Sequence, residues 1–170
     1  LQPFLEQLSE EHGSDWCSVV AKKPPGRFIE QALRTESGLL LYFGHGGGQK
    51  YITRKDIEAL CRPSNTGKRQ AASSIILMGC SSGKLESVNV KSGVDTDGDA
   101  GLHFEPEGIA LSLLQAGCPC VVANLWDVTD RDIDYFSRAM LDNLFDAEKT
   151  SSIANSVATS RPACKMRYLN

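Results

Sequence analysis

Leu39-Leu40-Leu41-Tyr42-Phe43-Gly44-His45-Gly46-Gly47-Gly48 is an apolar run, free of polar interruption, that ends in glycines around a single histidine. A run of this length without alternation has the pattern of a strand covered on both faces, as strands of a parallel sheet are. The same arrangement recurs at Ile75-Ile76-Leu77-Met78, which leads into Gly79-Cys80-Ser81-Ser82-Gly83. A third run, Cys120-Val121-Val122-Ala123, leads into Asn124-Leu125-Trp126-Asp127-Val128-Thr129-Asp130. Helical stretches separate and follow these runs. Thr53-Arg54-Lys55-Asp56 resembles a capping box, with Asp56 in the place usually held by Glu or Gln, and opens a helix to about Cys61. Gly108 to Gln115 is apolar and ends at Gly117-Cys118-Pro119, a C-cap glycine followed by a helix-stopping proline. Thr129 or Asp130 caps an amphipathic run to about Phe145, with Ile133, Phe136, Met140, Leu141 and Leu144 on one face. Strand and helix therefore alternate. The alternation predicts an α/β fold, a doubly wound, mostly parallel sheet flanked by helices, with ligands beyond the carboxyl ends of its strands.

Leu1 to Arg34 reads as a helical lead-in, with a turn at Lys22-Lys23-Pro24-Pro25-Gly26 before a helix from Arg27 to Arg34. The expected division is residues 1–36 as lead-in and 37–170 as the main domain. The 170 residues are 41% hydrophobic and 23% charged, the make-up of a compact domain. No stretch approaches the ~18 to 20 apolar residues of a membrane span. Eighteen Lys and Arg against 21 Asp and Glu give a net charge of -3, which is not the footprint of a nucleic-acid binder. The chain opens at Leu1 with neither an initiator Met nor a secretory pattern, and is expected to belong to a longer polypeptide. Cys17, Cys61, Cys80, Cys118, Cys120 and Cys164 have neither zinc-ligand nor disulfide-framework spacing, and fit reduced thiols of the cytosol or nucleus. Arg62 to Lys68 and Ser92 to Gly101 read as loops. Asp95, Asp97 and Asp99 suggest a calcium loop, but Ala100 replaces the required glycine and Pro106 the required Glu. A solvated acidic excursion between strand and helix is the expectation, with no metal and no cofactor.

The chemistry lies at the strand ends. If the first two strands are neighbours, His45 and Cys80 emerge side by side, each flanked by glycines that remove bulk and can aim N–H groups at a developing oxyanion. A thiol with an ordinary pKa is only a few per cent thiolate at neutral pH, and a nearby imidazole raises that fraction or protonates a leaving amine. Alone, either residue would be expected to be structural. The same letters allow a serine esterase, with Ser81 in G-x-S-x-G and His45-Gly46-Gly47-Gly48 as an HGGG oxyanion loop. An α/β-hydrolase needs its triad histidine after Ser81, and only His103 is available, in a segment that reads as irregular. Near the third strand, Trp126 and Asp127 or Asp130 would line a cleft suited to a cationic side chain; otherwise Trp126 packs on the sheet and Asp130 or Thr129 caps the helix.

Tyr42 to Gly48, Met78 to Gly83, Ala116 to Pro119 and Asn124 to Asp134 together resemble the catalytic domain of the separase family, over about Leu39 to Phe145. The resemblance implies a caspase-like cysteine endopeptidase. It implies cleavage of the kleisin subunit of cohesin at anaphase, after Arg in acidic-upstream sites, with securin as inhibitor and chaperone and a location in nucleus and cytoplasm. The rest of the separase chain would be a further partner; no membrane and no direct nucleic-acid contact is expected of this domain. It makes Cys80 the nucleophile and His45 the general acid/base, with Gly46 and Cys80 supplying oxyanion-hole N–H groups. Met78 stands where related Arg-specific proteases have an Asp, so the Arg-binding carboxylate must come from elsewhere. Asp127 is favoured over Asp130, with Trp126 and Ser81 as further substrate-binding residues. A catalytically silent caspase-like binding module is the remaining alternative.

Overall fold

The computed structural model describes residues 2–25, 27–61, 71–90, 103–146 and 152–165. These form two compact units, one of Leu1–Pro24 with Val128–Asn170 and one of Pro25–Asp127.

The Pro25–Asp127 unit begins with α2 (Phe28–Arg34) and β1 (Leu39–Phe43), followed by α3 (Arg54–Cys61) and β2 (Ser74–Met78). A hairpin of β3 (Glu86–Val90) and β4 (His103–Glu107) precedes α4 (Ile109–Ala116) and β5 (Val121–Ala123). β1, β2 and β5 make a parallel sheet with β2 in the middle, in the register Phe43 to Met78 and Leu77 to Ala123. Both crossovers step across the sheet in the same direction, so right-handed connections put α3 and α4 on one face, where they touch. Ile75 and Leu77 of β2 point into that face and meet Leu33, Ile57, Leu60, Leu113 and Ala116. Ile76 and Met78, on the opposite face, are equally buried. Complete burial is a property of the middle strand. β1 and β5, which read as covered on both faces, are half-buried along their length.

The helix signals correspond to physical caps. Thr53 donates its N–H and hydroxyl to the Asp56 carboxylate at 2.9 and 2.7 Å, and the Asp56 N–H returns to the Thr53 hydroxyl at 3.3 Å. These donors pull the Asp56 carboxyl below its ordinary pKa. Gly117 ends α4 in the left-handed conformation, φ +110, with Cys118 N–H on the Leu113 carbonyl at 3.1 Å.

β3 and β4 were not anticipated. They pair antiparallel from Glu86 opposite Glu107 to Val90 opposite His103. His103 is therefore in a strand, not in an irregular segment. The loops at residues 62–68 and 92–101, including the Asp95, Asp97 and Asp99 cluster, lie outside the described residues.

The second unit holds α1 (Gln2–His12), α5 (Asp130–Phe145) and α6 (Ile153–Ser160). Thr129 caps α5, accepting from the Asp132 N–H at 3.2 Å and donating to its carboxylate at 2.7 Å. The other oxygen of the buried Asp132 carboxylate accepts from the Lys165 N–H at 2.9 Å. Ile133, Met140 and Leu141 are buried on the expected face, with Phe136 and Leu144 half-buried. α6 was also not anticipated; Ser152 caps it, and Ser160 accepts from the Asn143 side-chain amide of α5 at 3.0 Å.

Candidate active site

The carboxyl ends of β1 and β2 lie side by side, and the ladder continues one step beyond the strands, with Gly44 N–H on the Met78 carbonyl at 3.3 Å. Gly79 is where the two strand-end turns touch. A β-carbon there would collide with the carbonyl oxygens of Gly44 and Gly46 and would stand 3.0 Å from the Gly46 nitrogen. His45 lies between those two residues and Cys80 follows Gly79. The close backbone approach that only glycine allows thus sets the histidine turn against the cysteine turn.

The histidine turn is shaped by its own residues. Gly46 and Gly48 have φ of +59 and +80, a region open to glycine at little cost. The Tyr42 hydroxyl donates to the His45 carbonyl at 3.0 Å, and the Gln49 side chain accepts from the Gly47 N–H at 2.9 Å. Burial, with a lesser contribution from Tyr51, pushes the Tyr42 phenol above its ordinary pKa and keeps it a donor. The His45 residue is exposed.

The cysteine turn is pinned to the end of β5. Ser82, 1% exposed, donates its hydroxyl to the Leu77 carbonyl at 2.7 Å and accepts from the Asn124 N–H at 3.0 Å. The Asn124 side-chain amide donates to the Gly79 carbonyl at 3.1 Å, and Gly83 N–H to the Asn124 carbonyl at 2.7 Å. Ser81 takes φ +51, in the left-handed region that a residue with a side chain seldom adopts. Its N–H donates to the Trp126 carbonyl at 3.0 Å and its hydroxyl to the Asp127 carboxylate at 2.6 Å. Cys80 is half-buried and in no disulfide.

Of the expected substrate-binding residues, the structure joins Ser81, Trp126 and Asp127 directly to the Cys80 turn. Trp126 is 51% exposed rather than packed on the sheet, so its ring is available as a wall. Asp130 is instead an exposed residue of the first turn of α5, in the other unit, where its charge suits a helix N-terminus. A cavity of about 550 Å³ is lined by Gly46, Gln49, Cys80 and Ser81 and by Glu86 and Glu107 of the unanticipated hairpin. Sequence reasoning passed over these two glutamates, although Glu86-Ser87-Val88-Asn89-Val90 carries the alternation of a strand. It also gave no role to Ser82 and Asn124, which nothing in a linear reading pairs. Among the described residues no cluster of three or more His, Cys, Asp or Glu could hold a metal ion.

The family described as the protease domain of separin matches residues 2–133 of the chain. Separin of Schizosaccharomyces pombe is 41% identical over 175 residues, covering 99% of this chain and 8% of the relative. Separin of Mus musculus is 32% identical over 166 residues, covering 98% of this chain and 7% of the relative. The crystal structure of the Saccharomyces cerevisiae separase-securin complex at 2.6 Å superposes with a TM-score of 0.64 and 33% identity, covering 88% of this chain and 9% of that one. The chain therefore spans less than a tenth of the length of the relatives it matches. In the serine-esterase alternative the nucleophile would be Ser81, whose hydroxyl here donates to the Asp127 carboxylate. The sequence motifs, the parallel sheet and these likenesses agree: the chain belongs to the separin family, as its protease domain.

Proposed function

We propose that the chain is a cysteine endopeptidase domain in which Cys80 is the nucleophile and His45 the general acid/base. The observation that carries the reading is the approach at Gly79, which puts the turns holding the two residues in contact at the strand ends. His45 takes the thiol proton, and the Cys80 sulfur bonds to the substrate carbonyl carbon. The oxygen gains the negative charge, and the backbone N–H groups of Gly46 and Cys80 are the donors assigned to it. As the C–N bond breaks, the imidazolium returns its proton to the leaving amine. Water, deprotonated by His45, then hydrolyses the thioester and frees Cys80.

Substrate preference is assigned to the β5 end. Asp127, fixed beside the cysteine turn by Ser81, meets an Arg side chain immediately before the cut, with Trp126 as the wall on which a guanidinium stacks. Asp130 is the second choice for that carboxylate. Its family ties extend the proposal to the kleisin subunit of cohesin as substrate, cut at acidic-upstream sites, and to activity in nucleus and cytoplasm. Securin, present in the yeast complex, is proposed as inhibitor and chaperone, and the rest of a separase chain as a further partner.

The test is cleavage of a kleisin-derived peptide with acidic residues upstream of one Arg by the native protein and by Cys80→Ala and His45→Ala. Loss of cleavage in both variants is expected. Retained cleavage in Cys80→Ala overturns the reading. Binding of the peptide without any turnover by the native protein overturns it in favour of the silent module.

A further inference from the structure

We infer that Ser81 is a positioning residue for substrate selectivity: its hydroxyl holds the Asp127 carboxylate in the one orientation that presents it to a cationic side chain beside Cys80. The inference rests on the proposed role of Asp127. Asp127 is exposed, in the irregular stretch between β5 and α5, and an unrestrained carboxylate there would sample several rotamers. Ordering it only when substrate arrives would cost binding free energy. Ser81 removes that freedom beforehand. Its N–H anchors the Trp126 carbonyl at 3.0 Å and its hydroxyl the Asp127 Oδ1 at 2.6 Å, two contacts from one residue to adjacent positions of the facing segment.

The backbone supports this assignment. At φ +51 a glycine would sit without strain, as at the neighbouring Gly46, whereas serine bears the steric cost of a side chain in the left-handed region. The side chain offsets that cost through its bond to Asp127. One hydroxyl proton occupies one lone pair of Oδ1 and leaves Oδ2, with the remaining lone pair of Oδ1, for the parallel N–H groups of a guanidinium. Because residue 81 follows Cys80 directly, the carboxylate is referenced to the nucleophile rather than to a separate loop.

The experiment compares Ser81→Gly, Ser81→Ala, Asp127→Asn and the Ser81→Gly, Asp127→Asn pair in the native protein, with peptides that carry Arg or Lys before the cut. Ser81→Gly suits the backbone angle and Ser81→Ala does not, so a change common to both reports the hydroxyl. Both are expected to raise KM for the Arg peptide by roughly three- to tenfold, more than they lower kcat, and to reduce the preference for Arg over Lys. In the Asp127→Asn background Ser81→Gly is expected to add nothing, because the group it positions is gone. Unchanged KM and unchanged Arg preference in both Ser81 variants, or an undiminished Ser81→Gly effect in that background, overturns the inference alone. Intact Arg preference in Asp127→Asn overturns the pocket assignment and the inference with it.

Discussion

Replacing Gly79 by alanine adds one methyl group at the point where the His45 and Cys80 turns meet. The new carbon would collide with the carbonyl oxygens of Gly44 and Gly46 and stand 3.0 Å from the Gly46 nitrogen. Non-bonded carbon contacts settle near 3.5 Å or more, so the histidine turn has to retreat by about 1 Å. These neighbours are backbone atoms and have no rotamer by which to yield. Gly44 is tied to Met78 by its N–H, and the His45 carbonyl to Tyr42. Overpacking of this kind costs about 3 kcal/mol. For a chain of this length that lowers Tm by roughly 6 to 12 °C. If the turns separate instead, a shift of about 1 Å between nucleophile and base costs on the order of a hundredfold in kcat. Thermal unfolding and turnover of an Arg peptide, measured together on the same variant, read both routes. A Gly79→Ala protein with parental Tm and a rate within a factor of two would refute the argument that this approach sets the catalytic geometry.

Ser82→Ala removes a buried hydroxyl that serves both the Leu77 carbonyl and the Asn124 N–H, and is expected to lower stability by about 2 kcal/mol in urea unfolding; an unchanged midpoint would show that the β2 to β5 clamp contributes little. Asp127→Lys should abolish preference for Arg while Cys80 still alkylates with iodoacetamide, and equal rates on Arg peptides before and after would move the pocket to Asp130. Asp56 has a lowered pKa in the folded chain, so its stabilisation is complete above the ordinary carboxylate range and is lost as pH falls through the lowered value. Asp56→Asn should accordingly flatten the acid limb of a stability-against-pH curve, and a superimposable acid limb would count against the cap. Burial raises the Cys120 and Cys164 thiols, which keeps them protonated at neutral pH, so quantitative alkylation should find both slower than Cys80; faster labelling of either would contradict the assigned reactivity.

The sheet was legible because its strands are short apolar runs, two of them ending in glycine, and the helices because Thr53, Gly117 and Thr129 are end signals that act locally. The pairing of β1 with β2 brings together the two glycine-flanked turns that hold His45 and Cys80, each of them a local motif in the sequence. What depends on pairs far apart in the chain was not. Ser82 with Asn124 and Ser81 with Asp127 are 42 and 46 residues apart, and only the folded register brings them together. The β3–β4 hairpin was missed because its strands carry Glu, Asn, His and Pro among few apolar residues, and the acidic segment between them drew the reading toward a loop. Asp130, three residues after Asp127 in sequence, belongs to the first turn of α5.

The most direct test of the account is mass spectrometry of the native protein after exposure to a peptide acyloxymethyl ketone with Arg beside the reactive group. A thiolate displaces the acyloxy group and leaves a thioether, so the mass shift marks the nucleophile while the peptide reports the pocket. The account predicts modification at Cys80 alone, lost when Arg is replaced by Leu and lost in His45→Ala. Modification at another cysteine, or equal labelling of Cys80 by the Arg and Leu reagents, would contradict it.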